Sequence, residues 1–142
     1  LNNIGSIFRT CDAFLVSKIY LCGITAQPPN RKINKTALGS TESVEWEYFK
    51  STKKIIEKLK SMGVKIWSIE QVEKAQKLHE IEEIDKGIVH AVVFGNEIKG
   101  VSQEIIDISN NTIEIDQYGT KHSLNVTVAA GIVVWKFYNS LN

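Results

Sequence analysis

Two cysteines in 142 residues are too few for a disulfide scaffold. The plainer reading is a pair of free, buried thiols in a reducing, cytoplasmic setting. No apolar run approaches the ~20 residues that a membrane-spanning helix requires, and no secretory signal is visible. Neither charge is in excess: 17 basic residues stand against 16 acidic ones, a net charge of +1. That balance neither announces nor excludes a nucleic-acid partner, because a local basic face would be enough to bind one. There is no internal repeat and no low-complexity segment. The three histidines, His79, His90 and His122, show no metal-ligand spacing and have no cysteine close by, so no zinc site is expected. Nor does the chain begin with Met: it opens at Leu1, and its only methionine is Met62. Its first residues already read as a helix with no strand before them. The expectation is a fragment of a slightly longer protein, lacking its first N-terminal strand.

What is present is one domain's worth of globular sequence. The chain is 43% hydrophobic and 23% charged, near the average of folded domains, and its length suits a single domain of ~100–200 residues. Ile4, Ile7, Phe8, Cys11 and Phe14 recur at helical spacing over residues 3–14. Residues 17–22 form a short β-type run ended by Gly23. Residues 25–43, rich in Pro, Asn, Lys, Gly and Ser, read as a long loop or short helical turns. Residues 44–49 alternate like an edge strand. A helix capped by Ser51 and running to Met62 turns Ile55, Ile56 and Leu59 inward, and Gly63 stops it. Residues 64–69 form the next strand, and residues 70–86 are charged and helical or irregular. Residues 87–94 are a nearly continuous apolar run, the pattern of a strand buried on both faces. Ser102 caps a short helix, Asn110 and Asn111 make a turn, residues 112–116 form a last strand, and a polar loop leads into a helix over 124–141. Strands alternating with helices define an α/β fold with a mainly parallel sheet flanked by helices.

The last helix is apolar nearly all round: Leu124, Val126, Val128, Ala129, Ile132, Val133, Val134, Trp135 and Phe137 do not keep to one stripe. Such a helix needs cover on more than one side. The sheet supplies one cover, and a second subunit is the expected other.

Three segments carry candidate chemistry, each placed where an α/β sheet builds its sites, at the C-terminal ends of strands. In the first, Asn3 and Arg9 stand on the polar side of a short helix, suited to a phosphate or a ribose. In the second, Gly95-Asn96-Glu97-Ile98-Lys99-Gly100 follows the buried strand, and glycines suit close backbone approach to a ligand. In the third, a polar loop from Ile115 runs into Ser123-Leu124-Asn125, with Ser123 able to cap the helix and Asn125 in its first turn. Each has a bland counterpart: a solvated helix face, an ordinary turn and simple capping. Cys11 and Cys22 read as core, Trp46, Trp67 and Trp135 as core or interface, and His90 as structural. His122 reads either as an RNA contact or as a solvated loop residue.

Taken together, the three segments resemble the three motifs of the SpoU/TrmH branch of the SPOUT RNA methyltransferases, in the family's order. The first motif is matched by Asn3, Gly5, Arg9 and Thr10, the second by Gly95, Asn96, Glu97 and Gly100, and the third by Ser123, Leu124, Asn125, Val126, Val128 and Ala129. Residues 35–40, followed by Ser43, Val44 and Trp46, resemble a linker common in this branch. The resemblance implies methyl transfer from S-adenosylmethionine to a ribose 2′-hydroxyl of tRNA or rRNA. It implies a C-terminal trefoil knot, and a homodimer packed through the first and last helices. It places the cofactor against Gly95, Asn96, Glu97, Gly100, Ile115, Ser123 and Leu124. Arg9, Asn3, Glu97, Ser123 and Asn125 become the catalytic set. Asn3 and Arg9, with Arg31, Lys32 and Lys35 of the long loop, become the RNA contacts.

A ribose hydroxyl is a weak nucleophile, so the site must favour its alkoxide and align it. A guanidinium keeps its proton to above pH ~12, so Arg9 is read as stabilising charge rather than as a base. No metal is required by this chemistry. One departure stands out: Ile115-Asp116-Gln117 replaces the family's usual Ile-Pro-Met. The competing readings are a non-catalytic RNA- or ribosome-binding module on the same fold, a base methyltransferase of a related branch, and a nicotinamide-dependent dehydrogenase. The last lacks a G-x-G-x-x-G after a first strand.

Overall fold

The computed structural model describes residues 2–96, 99–119 and 124–142. The chain forms two compact units. One comprises the chain up to Thr52 together with Thr127–Ser140 and Asn142; the other comprises Lys53–Val126 with Leu141.

The first unit opens with α1 (Asn2–Ala13), followed by β1 (Lys18–Cys22). Of the two readings of residues 25–43, a long loop or short helical turns, the second holds: they contain two short helices, α2 (Arg31–Ala37) and α3 (Ser40–Ser43), before β2 (Glu45–Phe49). Asn30 caps α2 by accepting from the amides of Lys32 and Ile33 at 2.9 and 3.4 Å. Leu38 ends it in the left-handed conformation, and the buried Ser40 hydroxyl donates to the Ala37 carbonyl at 2.6 Å. β1 and β2 pair in parallel from Lys18↔Glu45 to Cys22↔Phe49. The core gathers Phe8 and Cys11 of α1, Leu21 of β1, Ile33 and Ala37 of α2, and Val44.

Gly5 explains how α1 and α2 come so close. A Cβ there would lie 1.9 Å from the Thr36 hydroxyl oxygen and 2.4 Å from the Ile33 carbonyl oxygen. Only a residue without a side chain lets the two backbones meet. This unit also holds most of α6 (Val126–Leu141), which buries Ala130, Val133, Val134 and Phe137. It meets the turn just after α1 through the ring pair Phe14–Tyr138, 5.8 Å between centroids.

The second unit carries a four-stranded sheet in the order β4-β6-β3-β5, with every neighbouring pair parallel. Its strands are β3 (Lys65–Ile69), β4 (Gln76–Lys77), β5 (His90–Val93) and β6 (Asn111–Glu114). Its helices are α4 (Thr52–Ser61), which starts in the first unit, and α5 (Gln103–Ile108). Ile55, Ile56 and Leu59 of α4 are buried and its lysines exposed, as the periodicity predicts. Ser102 caps α5, its hydroxyl accepting from the Ile105 amide at 3.4 Å. The buried Ser68 in β3 is hydrogen-bonded to Ser109, whose hydroxyl also reaches the Ile105 carbonyl at 2.7 Å.

Two expectations are corrected in this unit. The charged stretch 70–86 contains β4 and a 3-10 turn over Leu78–Glu80. β4 has only two polar residues, too few for any periodicity to reveal, and it gains its place by pairing with β6. The apolar run 87–94 is not a strand buried on both faces. β5 is shorter, half-buried throughout, and lies at the end of the strand order, with β3 as its one paired neighbour among the described residues. Ile88 and Val89 ahead of it are exposed.

His90 is structural. A Trp ring nitrogen only donates, so Trp67 Nε1, 3.0 Å away, makes His90 Nδ1 an acceptor. The ring proton then sits on Nε2, which donates to the Asp85 carbonyl at 2.6 Å. Trp67 itself is buried, Trp46 packs half-buried against the core of the first unit, and Trp135 is exposed.

Candidate active site

In the first unit the site residues are borne by α1, α2 and the start of α6. Asn3 is half-buried, and its Oδ1 accepts from the Thr127 hydroxyl at 2.8 Å. Thr127 lies within the third motif, so this bond joins the first motif to the third. Arg9 lies two turns along α1 and is exposed. Its guanidinium makes no hydrogen bond or ion pair with the described residues, leaving a forked donor able to take a phosphate or a developing alkoxide. Arg31, Lys32 and Lys35 are exposed on α2 rather than on a loop. Because α2 packs on α1 at Gly5, these cations and Arg9 are carried by two helices in contact.

In the second unit two loops leave the C-terminal ends of parallel strands, the place where α/β sheets bind ligands. The loop after β5 turns back on itself. Gly100 N–H donates to the Asn96 carbonyl at 2.8 Å, and a Cβ on Gly95 would lie 2.1 Å from the Gly100 carbonyl carbon. Gly100 has φ +67°, and a Cβ there would lie 2.2 Å from a Glu70 carboxylate oxygen. The close approach expected of these glycines is therefore first an approach of the loop to its own chain.

Glu70 stands beyond the end of β3 and ties both neighbours. Its amide donates to the Ile113 carbonyl of β6 at 3.0 Å, and its carboxylate accepts from the amides of Val101 at 2.9 Å and Gln71 at 3.0 Å. Nothing in the local sequence marks it, since the two partners that tie it to other elements, Val101 and Ile113, lie 31 and more residues away.

The loop after β6 is clipped at two points. Lys77 Nζ on β4 donates to both Asp116 oxygens, at 2.8 and 2.7 Å, and the Tyr118 hydroxyl donates to the same carboxylate at 3.2 Å. The hydrogen bond from Lys77 holds the Asp116 carboxyl below its ordinary range and the Lys77 ammonium above its own. Further along, the Gln117 side-chain oxygen accepts from the Leu124 amide at 3.1 Å. The helix itself begins at Val126, so Asn125 stands just ahead of α6 and not in its first turn. Glu97, His122 and Ser123 lie outside the described residues.

A cavity of about 460 Å³ in the second unit is lined by Lys65, Trp67, Gln76, Lys77, Glu80 and Asn111 among others. It contains no motif residue. Among the described residues no cluster of His, Cys, Asp or Glu is placed to hold a metal ion, and no helix is long and apolar enough to cross a membrane. Both thiols are free; burial raises Cys22 and pushes Cys11 up to about 12.

These features describe an α/β protein with its candidate loops at the C-terminal edge of a parallel sheet and, on its first helix, an exposed arginine unpaired among the described residues. The SpoU rRNA Methylase family matches residues 1–135, and the chain belongs to that family. Among curated relatives, the tRNA (guanosine(18)-2′-O)-methyltransferase of Aquifex aeolicus is 33% identical over 136 residues, covering 95% of this chain and 62% of the relative. Among solved structures, the A. aeolicus TrmH/SpoU tRNA modifying enzyme superposes with a TM-score of 0.84 at 31% identity, over 98% of this chain and 68% of that one. The AdoMet-bound rRNA methyltransferase from Sinorhizobium meliloti does so with a TM-score of 0.90 at 25% identity, over 99% of this chain and 52% of that one. The chain thus spans less than two thirds of the length of the curated relative it matches.

Proposed function

We propose that this chain transfers a methyl group from S-adenosylmethionine to a ribose 2′-hydroxyl of tRNA or rRNA. The observation that carries this reading is that a chain matched along residues 1–135 to the SpoU rRNA Methylase family keeps Asn3 and Arg9 together on α1, with Arg9 exposed and unpaired among the described residues. The names of its relatives support both the reaction and the RNA substrate.

The two strand-end loops fit the cofactor by their donor set. They offer main-chain groups beside half-buried Phe94, Gly95 and Ile115, and Asp116, the carboxylate there, is already engaged by Lys77. Backbone of Gly95, Asn96, Glu97, Gly100, Ile115, Ser123 and Leu124 would hold it. When bound, S-adenosylmethionine supplies an electrophilic methyl on a positive sulfur. Arg9 stabilises the oxyanion that develops on the ribose and holds the adjoining phosphate. Asn3, fixed by Thr127, positions the ribose or phosphate. Glu97, Ser123 and Asn125 would orient the ribose hydroxyl. Arg31, Lys32 and Lys35 bind phosphates further along the RNA.

The trefoil knot belongs to the same proposal, as do a cytoplasmic setting and a homodimer. For the dimer, the support is on α6: Val128, Ile132 and Trp135, spaced i, i+4 and i+7, are 49%, 38% and 55% exposed. An apolar stripe of that kind on a helix already buried along its other face suits a second copy.

The test is Arg9→Ala. It is expected to abolish methyl transfer to RNA while leaving cofactor affinity near that of the wild type. A variant that keeps most of the rate overturns the role given to Arg9.

A further inference from the structure

Asp116 and Gln117 stand where the resemblance expects Pro and Met, and the structure shows what each does. β4 and β6 pair with Lys77 opposite Glu114. Asp116 is two residues beyond Glu114, so its side chain leaves the same face of the strand direction. Lys77 reaches along that face and takes both carboxylate oxygens, at 2.8 and 2.7 Å. The Asp116 side chain is only 19% exposed, and Tyr118 adds a third hydrogen bond to it at 3.2 Å. This anchors the start of the loop. Gln117 anchors its far end through the Leu124 amide, 3.1 Å away and seven residues on. Both clips act on backbone next to Ile115 and Leu124, two of the groups assigned to the cofactor. A loop without these clips would need ordering at the moment of binding, and that ordering opposes affinity.

We propose that Lys77, through Asp116, and Gln117, through Leu124, are positioning residues that pre-order the backbone at Ile115–Gln117 and at Leu124 for S-adenosylmethionine. This rests on the reading of that loop as part of the cofactor site. Neither residue touches the reacting atoms. Their contribution appears in cofactor affinity and not in the rate at saturation. Because one clip is a partly exposed ion pair, added salt weakens it.

The experiment titrates S-adenosylmethionine into wild type, Lys77→Ala, Asp116→Asn, Gln117→Ala and the charge-exchanged pair K77D/D116K by calorimetry. Thermal unfolding is followed in parallel, and Lys53→Ala serves as control because it breaks the Lys53–Glu104 pair elsewhere in the same unit. The single variants at 77, 116 and 117 are expected to raise Kd about fivefold, with the rate at saturating cofactor near wild type and a loss of Tm too small to account for the change in affinity. K77D/D116K restores most of the affinity, Lys53→Ala changes nothing, and amide exchange at Leu124 accelerates in Gln117→Ala. Wild-type affinity falls with added salt more steeply than that of Lys77→Ala. If the wild type binds and the variants bind equally well, the inference fails alone. If Tm and affinity fall in step, the clips are only structural and it fails again. If the wild type does not bind S-adenosylmethionine, the cofactor reading fails and takes this inference with it.

Discussion

The Thr127 hydroxyl donates to Asn3 Oδ1 at 2.8 Å, joining two residues 124 positions apart in the chain. One sits in the first turn of α1, the other in the first turn of α6. The bond fixes which way the Asn3 amide points, and with it the direction in which its nitrogen can donate.

Thr127→Val keeps the shape of the side chain and removes the donor. It is expected to lower stability by about 1 kcal/mol, the usual effect of losing one partly buried hydrogen bond. Denaturant unfolding measures the loss. A double-mutant cycle with Asn3→Ala should show coupling between the two sites, and strict additivity would mean the bond contributes nothing.

Gly5 and Gly131 should respond in opposite directions to the same change. Gly5→Ala drives a methyl into Thr36 and the Ile33 carbonyl and is expected to cost roughly 1–3 kcal/mol. Gly131, inside α6, would place its Cβ in open space. Gly131→Ala should therefore stabilise by about 0.5–1 kcal/mol through helix propensity. Thermal unfolding of the two variants separates a packing glycine from a dispensable one.

Glu70→Ala removes the acceptor of the Val101 amide next to a left-handed Gly100. Leaving that amide unpaired is expected to cost about 1–3 kcal/mol, while Glu70→Gln should recover most of it. Faster amide exchange at Val101 in the alanine variant would mark the loss. Unchanged exchange would show that the carboxylate does not hold the loop.

The Lys77–Asp116 pair should give stability a defined pH window. Lys77 holds the Asp116 carboxyl below its ordinary value of 3.8, against some opposition from burial. A carboxyl lowered on folding stabilises above its unfolded pKa and loses that effect as pH falls through the folded one. Lys77, raised above 10.5, loses its share only as pH rises beyond that value. Tyr118, His79, Glu80 and Glu114 also face the pair. The small Tm advantage of wild type over Lys77→Ala should thus persist at neutral pH, begin to fade as pH falls past 3.8, and vanish only below the lowered folded pKa of Asp116. An advantage that survives strong acid would assign it to packing by the lysine stem.

Much of the fold is legible in local pattern. The spacing of Ile4, Ile7, Phe8 and Cys11 marks α1, the inward Ile55, Ile56 and Leu59 mark α4, and Ser102 marks the start of α5. What escapes is decided at long range. β4 is two polar residues that become a strand only beside β6. Glu70 and Lys77 become site residues only through Val101 and Asp116, 31 and 39 positions away. The run 87–94 is apolar enough for a buried strand, yet among the described residues β5 has one paired neighbour. Gly5 reads as a motif glycine, but its reason is the backbone of α2. Of the catalytic set, Asn3, Arg9 and Asn125 are placed within their own units.

The most direct test of the central claim incubates the protein with methyl-labelled S-adenosylmethionine and unmodified total tRNA and rRNA, then digests the RNA and identifies the labelled nucleoside. The account expects a 2′-O-methylated nucleoside, lost in Arg9→Ala. Label on a base would contradict the ribose assignment, and no label from any RNA would contradict the enzyme reading in favour of a binding module.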